Sequence, residues 1–146
     1  MNILVVTDQA ETLELMNSVA HVAFPGATVR AAASLASALS SARSMAGLDM
    51  VLLDLELPDS EGLDGLWCFR ADFPQAKVVV LSSQDDPELI AEALDLGASG
   101  FIAKTSGISV PALRLVAQGG IYDPTGFARP ERTKGMGAEK SGFFVT

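Results

Sequence analysis

This chain of 146 residues has one cysteine and one histidine, the residue types that form disulfides and most zinc sites. A disulfide framework and a structural zinc site are therefore excluded as the basis of the fold, and the lone cysteine agrees with a reducing compartment. Uninterrupted apolar stretches are only a few residues long, too short to span a bilayer. The start lacks the basic and apolar regions of a signal peptide. We expect a cytoplasmic protein that does not enter a membrane.

Basic residues are also few, since the chain has 10 Lys and Arg residues and 18 Asp and Glu residues, which gives a net charge of −8. This balance argues against this segment itself binding a nucleic-acid backbone and suits a cation site or a basic partner. The length predicts one domain, and a hydrophobic content of 49% is ample for its core.

Apolar strand-like runs alternate with helix-like segments along most of the chain, which is typical of a doubly wound parallel sheet. We predict an α/β fold of the flavodoxin-like type, with a five-stranded parallel sheet and five helices. The predicted strands are 2–6, 27–33, 50–54, 78–81 and 100–103. The predicted helices are 9–23, 34–46, 62–72, 86–96 and 111–119.

Local signals mark the helix ends and the end of the domain. Ser34 is a candidate N-cap of the second helix, and Asp85 or Asp86 of the fourth. Trp67 is interpreted as a packing residue of the third helix. From residue 123 onward the chain is rich in glycine, proline and basic residues. We therefore predict a domain over 1–122 and a linker or tail over 123–146, leading to a further domain.

Three charged residues each lie at the end of a predicted strand. Asp8 follows the first strand, Asp54 ends the third, and Lys104 follows the fifth. Ligands bind at the carboxyl ends of the strands in open α/β sheets. Two acids and a lysine on three strand ends therefore predict a functional site.

The order of these residues resembles the receiver domain of two-component response regulators, over about residues 1–122. The matching pieces are Ile3-Leu4-Val5-Val6-Thr7-Asp8, Leu52-Leu53-Asp54-Leu55-Glu56-Leu57-Pro58 with Gly62, Val79-Val80-Leu81-Ser82-Ser83, and Gly97-Ala98-Ser99-Gly100-Phe101-Ile102-Ala103-Lys104. The closing segment 117–124 further resembles the LuxR-type subfamily. In that subfamily the receiver is followed by a linker and a helix-turn-helix DNA-binding domain.

The resemblance implies a chemical role for each charged residue. Asp54 is the expected phosphoacceptor, which takes a phosphoryl group from a sensor histidine kinase. Mg²⁺ is the expected cofactor, held by Asp8, Asp54 and the backbone carbonyl of Glu56. Lys104 is expected to contact a phosphoryl oxygen. The domain would accept a phosphoryl group, with possible self-dephosphorylation, without being a turnover enzyme.

The resemblance also implies a conformational switch that controls transcription. Ser82 is the expected switch hydroxyl and Phe101 its aromatic rotamer partner. The expected output is a homodimer that brings two C-terminal DNA-binding domains together. Glu56 and Gln84 occupy positions that face the phosphoryl group and can tune its lifetime.

One residue departs from the family pattern. The family usually has two consecutive acids after the first strand, and this chain has Thr7-Asp8. Thr7 brings no charge, although its hydroxyl can hold a metal-bound water. We therefore expect weaker Mg²⁺ binding and less efficient phosphorylation.

Other interpretations remain open at this point. Because Thr7 replaces one of the two usual acids, the chain is alternatively a pseudo-receiver, which binds partners without phosphorylation. A phosphatase of the haloacid dehalogenase type also uses an aspartyl nucleophile, but it has Asp where this chain has Glu56. For single residues, Asp8 is alternatively a helix N-cap and Ser82 a loop cap, and Asp59 is interpreted as a solvated loop charge.

Overall fold

A computed structural model describes residues 1–104 and 109–126. The strands are β1 (Asn2–Val6), β2 (Thr28–Ala32), β3 (Met50–Asp54), β4 (Lys77–Ser82) and β5 (Gly100–Ala103). The helices are α1 (Ala10–Ala23), α2 (Leu35–Ser44), α3 (Asp64–Asp72), α4 (Pro87–Asp95) and α5 (Ser109–Ala117). The predicted alternation of strands and helices is confirmed. The largest difference at the start of a helix is two residues, at α3 and α5.

The five strands form one parallel sheet in the order β2-β1-β3-β4-β5. All of β3 is buried, and β4 is buried after its first residue. Helices cover both faces, so these central strands carry apolar side chains on both sides rather than alternating with polar ones. The predicted fold class is therefore confirmed.

The core has two halves, one on each face of the sheet. Leu4, Val51 and Val80 pack with residues of α2, α3 and α4. Ile3, Leu52 and their row neighbours pack with residues of α1 and α5. Successive residues of a strand alternate between these two faces. A residue just past the end of a strand therefore lies on the same face as the strand residue two positions before it.

The interpretation of Trp67 as a packing residue is wrong. Its neighbours Leu66 and Phe69 are fully buried, whereas Trp67 is 65% exposed. In a helix the next residue is rotated by about 100°, so burying the face that carries Leu66 turns Trp67 toward solvent. Helical periodicity predicts an apolar face but does not show which apolar residues lie at its edge.

Asp59 is exposed on its loop, as predicted, but it is more than a solvated charge. Its carboxylate accepts hydrogen bonds from the backbone N–H groups of Leu35 and Ala36, at 2.7 and 3.0 Å. These are first-turn amides of α2, which have no partner within the helix. Ser34, confirmed as N-cap, accepts from Ser37 N–H at 3.1 Å. The loop after β3 is thereby fastened to α2.

The chain continues along the edge of the sheet after α5. Tyr122 N–H donates to the Ser99 carbonyl at 3.0 Å, and Phe101 N–H donates to the Tyr122 carbonyl at 3.2 Å. Tyr122 thus forms a parallel bridge with Gly100. A Cβ on Gly100 would lie 3.3 Å from the Tyr122 Cβ, so glycine permits this close approach. This bridge pairs backbone groups at the outer edge of β5 that would otherwise be exposed.

The predicted boundary near residue 122 falls directly after this bridge. Asp123 to Gly126 form a turn in which the Asp123 carboxylate accepts from the Thr125 N–H at 2.9 Å. The rest of the predicted linker, 127–146, lies outside the described residues. Among the helices that the structure describes, none is both long and apolar enough to cross a bilayer.

Replacing Asp59 by Ala should lower the stability of the fold and reduce its loss of stability in acid. The two amide hydrogen bonds hold the pKa of Asp59 below its ordinary value of 3.8. Its stabilising contribution is therefore complete above that value and is lost as the pH falls through the folded-state pKa. Urea unfolding at neutral and acidic pH should show a difference between wild type and Asp59→Ala that shrinks on acidification. Glu61→Ala, a change on the same loop, is the control, and an equal effect there would contradict the capping role.

Candidate functional site

The strand register places three polar side chains on one face of the sheet. Val6 is paired with Leu53, so Thr7 lies beside Asp54 at the next step. Asp54 is in turn paired with Leu81 of β4, and Lys104 follows the end of β5. All three continue the rows that pack toward α1 and α5. The predicted meeting of Asp54 and Lys104 at the carboxyl edge is confirmed by their contact.

Asp54 is the buried centre of this group, with no exposed surface. One carboxylate oxygen, Oδ2, accepts from the Thr7 hydroxyl at 2.7 Å and from Lys104 Nζ at 2.9 Å. The other oxygen, Oδ1, accepts from the backbone N–H of Glu56 at 2.8 Å. A buried carboxylate needs such compensation, because an unpaired charge in the interior costs several kcal/mol, on the order of 3–5.

Lys104 joins the ends of three strands. Its ammonium group contacts Asp54 Oδ2 at 2.9 Å, Glu56 Oε1 at 2.7 Å and Gln9 Oε1 at 3.0 Å. An ammonium group has three N–H donors, so these three oxygens match its full capacity. The side chain of Lys104 is 12% exposed.

The ion pair fixes the charge state of this site. Burial, the largest single influence, acts to lower the pKa of Lys104, but hydrogen bonds and charge attraction from Glu56 and Asp54 outweigh it and raise the pKa. The pKa of Glu56 is lowered, chiefly by its hydrogen bond with Lys104 and next by that with the Ser83 hydroxyl. Both groups are therefore charged at neutral pH.

Asp8 lies at the junction of β1 and α1 and is exposed. The alternative N-cap role is wrong, because Gln9 is the N-cap of α1 and no side chain caps that helix. Asp8 and Asp54 thus stand at the ends of adjacent strands, one open to solvent and one buried.

The donor set fits Mg²⁺ and not a fully protein-bound metal. Within residues 1–104 and 109–126, no group of three or more His, Cys, Asp or Glu side chains could hold a metal ion. Mg²⁺ prefers oxygen ligands and keeps several waters, so it needs only one or two carboxylates. Asp8 and Asp54, at the ends of adjacent strands, would supply that number. Receiver domains in general bind Mg²⁺ at such an acidic pocket.

The side chains of the predicted switch residues are not part of this contact network, although the Ser82 carbonyl accepts from the Lys104 N–H at 2.8 Å. Ser82 is buried at the end of β4, and its hydroxyl accepts the backbone N–H of Gln84 at 3.0 Å. This is the loop contact considered as the alternative role of Ser82. Phe101 is fully buried in β5 on the face of α2, α3 and α4. The pairing Val80↔Phe101 places Phe101 on the same face as Ser82, two residues below it.

Sequence reasoning missed two members of the site and one contact. Gln9 supplies its amide oxygen to Lys104, and Ser83 donates its hydroxyl to Glu56 Oε2. The Thr7 hydroxyl, expected to hold a metal-bound water, donates directly to Asp54. Gln9 follows Asp8 and Ser83 follows Ser82 in the sequence. This adjacency could have identified both residues, since a side chain next to a strand end also reaches the edge of the sheet.

Residues 3–113 match the family described as "Response regulator receiver domain". The chain belongs to this family. It is 34% identical over 145 residues to the "Glycerol metabolism activator" of Pseudomonas putida, covering 97% of this chain and 66% of that protein. It is 36% identical over 105 residues to the "Swarming motility regulation protein RssB" of Serratia marcescens, covering 71% of this chain and 46% of that protein. The chain thus spans less than two thirds of either relative.

Solved structures show the same fold. A "LuxR family DNA-binding response regulator" from Silicibacter pomeroyi is 26% identical, with a TM-score of 0.72, covering 87% of this chain and 100% of that one. The non-phosphorylated receiver domain of RcsB from Escherichia coli is 18% identical, with a TM-score of 0.76, covering 85% and 98%. The resemblance to LuxR-type response regulators is confirmed.

Replacing Thr7 by Val should destabilise the receiver domain by about 1–3 kcal/mol, because the buried Asp54 carboxylate loses a hydrogen-bond donor. Valine has nearly the same shape, so packing is kept. Urea unfolding at neutral pH measures the change. Thr28→Val, an exposed position on β2, is the matched control. Equal stability of the two variants would show that the Thr7 hydroxyl does not support Asp54.

Proposed function

We propose that this receiver domain accepts a phosphoryl group on Asp54 from a sensor histidine kinase in the cytoplasm and thereby controls transcription. The observation that carries the proposal is the contact of Asp54 Oδ2 with Lys104 Nζ at 2.9 Å, at the carboxyl edge of the sheet. A nucleophilic carboxylate and a cation that can follow the transferred charge are held side by side by different strands. This is the arrangement that acyl-phosphate formation requires.

The transfer takes place between the Asp54 carboxylate and the kinase histidine. An oxygen of Asp54 attacks phosphorus, an O–P bond forms, and the P–N bond to the histidine breaks. The bonding electron pair returns to the imidazole nitrogen. The Glu56 N–H on Oδ1 and the Thr7 hydroxyl on Oδ2 orient the attacking carboxylate. Lys104 then donates to a phosphoryl oxygen, which is worth more in a partly dry pocket than in water.

Mg²⁺ would be held by Asp8, Asp54 and the backbone carbonyl of Glu56. When bound, it neutralises charge on the phosphoryl oxygens. Thr7 stands where the family usually has a second acid, so the pocket is one negative charge poorer and Mg²⁺ binding is weaker. The Thr7 hydroxyl instead holds Asp54 in place.

The acyl phosphate switches the domain through Ser82 and Phe101. Ser82 leaves the Gln84 amide and donates to a phosphoryl oxygen. This movement changes the space beside Phe101, whose ring is already fully buried, and the ring changes its rotamer within the core. A shift from mostly off to mostly on needs a preference of roughly 5 kcal/mol, which several charge-assisted hydrogen bonds can supply. The output is a homodimer that presents C-terminal DNA-binding domains, which lie outside this chain. The domain itself is not a turnover enzyme.

Asp54→Asn should abolish phosphorylation, because an amide is a poor nucleophile of nearly the same shape. The measurement is the mass increase after incubation with phosphoramidate and Mg²⁺. Asp59→Asn is the matched control and should be labelled like wild type, because Asp59 bonds to the first turn of α2 and not to Asp54, and the amide oxygen keeps one of its two hydrogen bonds. Retained labelling of Asp54→Asn would move the site elsewhere. An unlabelled wild-type chain would favour the pseudo-receiver that acts without phosphorylation.

Addition of BeF₃⁻ with Mg²⁺, a phosphoryl mimic, should change hydrogen exchange in α4, β5 and α5, within about residues 86–119. The same addition should shift the chain toward a dimer in light scattering. Ser82 ends β4 and Lys104 follows β5, so these elements respond first. Exchange changes confined to residues 1–60 would rule out this switch.

A further inference from the structure

The ammonium group of Lys104 has no donor to spare for a phosphoryl oxygen. Its three contacts are with Asp54, Glu56 and Gln9, at 2.9, 2.7 and 3.0 Å. The shortest is with Glu56 Oε1. An incoming phosphoryl oxygen must therefore replace one of these three acceptors.

Glu56 is the acceptor that a phosphoryl group would displace. Phosphorylation removes the negative charge of Asp54 itself, and the neutral Gln9 amide is not repelled by a phosphoryl group. Glu56 carries the same sign of charge as the phosphoryl group, so the two repel each other while competing for one cation. The side chain of Glu56 is also 35% exposed, so it can turn into water once it is released.

The same contact covers the nucleophile. Asp54 has no exposed surface, although its chemistry requires contact with phosphorus. Lys104 lies against it and is held there by Glu56. The second oxygen of Glu56 accepts the Ser83 hydroxyl, which fixes the carboxylate from its other side. Opening a path to Asp54 requires this arrangement to loosen.

We propose that Glu56 is an internal competitor for Lys104, a carboxylate that takes the place of the phosphoryl group in the resting site. Its contact with Lys104 breaks when Asp54 is phosphorylated and forms again when the phosphoryl group leaves. Glu56 therefore slows phosphorylation and favours return to the resting state, and Ser83 strengthens this effect by holding Glu56. The inference rests on the proposed function.

The first test compares the rate of labelling by phosphoramidate and Mg²⁺ in wild type, Glu56→Gln and Glu61→Gln. Glutamine keeps the shape of Glu56 and can still accept from Lys104, but without charge. Labelling should become roughly three- to tenfold faster, the difference between an ionic and a neutral hydrogen bond. Glu61→Gln removes one charge from an exposed position on the same loop and should leave the rate unchanged.

The second test separates competition for Lys104 from simple repulsion of the phosphodonor. Ser83→Ala changes no charge, but it removes the hydroxyl that holds Glu56. It should also speed labelling, by a smaller factor than Glu56→Gln, and should have no effect when Glu56→Gln is already present. The affinity for BeF₃⁻ with Mg²⁺ should rise in the same order, which gives a readout independent of the phosphodonor. Urea unfolding confirms that each variant is folded.

The outcomes distinguish this inference from the function on which it rests. If wild type is labelled and Glu56→Gln matches Glu61→Gln, the competitor is overturned and the phosphoacceptor function stands. If Glu56→Gln is faster but Ser83→Ala has no effect, Glu56 acts only through its charge, and the holding role is overturned. If no chain takes up a phosphoryl group or BeF₃⁻, the proposed function fails and the inference fails with it.

Discussion

The buried charge of Asp54 is the constraint on which the rest of the site depends. A carboxylate with no exposed surface is tolerated only if donors surround it. Those donors come from the end of β1, the turn after β3 and the end of β5: the Thr7 hydroxyl, the Glu56 amide and the Lys104 ammonium group. The sheet must therefore be in register across these strands for the charge to be compensated. Fold and site are stabilised by the same contacts.

The side chains of the site lie on two different faces of the sheet. Thr7, Asp54 and Lys104 continue the rows toward α1 and α5, while Ser82 continues the row toward α2, α3 and α4. The charged cluster and the Ser82 hydroxyl thus approach the edge from opposite sides of the sheet. Phe101 lies on the Ser82 side, within the core. A group bound at the edge can contact both sides of the sheet.

Much of this was predictable from sequence, and the misses share a cause. Alternating apolar runs fix strands and helices, and strand-end position brings Asp54 and Lys104 together. Contacts between loops are different, because they depend on how separate segments meet in space. The caps that Asp59 supplies to α2 and the hydroxyl that Ser83 gives to Glu56 are of this kind. Trp67 shows a further limit, since periodicity does not decide which apolar residue lies at the margin of a buried face.

The bridge at Tyr122 has a consequence for how the chain leaves the domain. Its main chain is bonded to Ser99 and Phe101, the residues on either side of Gly100. The position and heading of the polypeptide at Tyr122 are therefore set by β5 and not by the composition of the downstream segment. A change in the rotamer of Phe101 would leave that exit undisturbed, because the bond runs through its amide. A displacement of the β5 backbone, in contrast, would change the direction in which the chain continues after Tyr122.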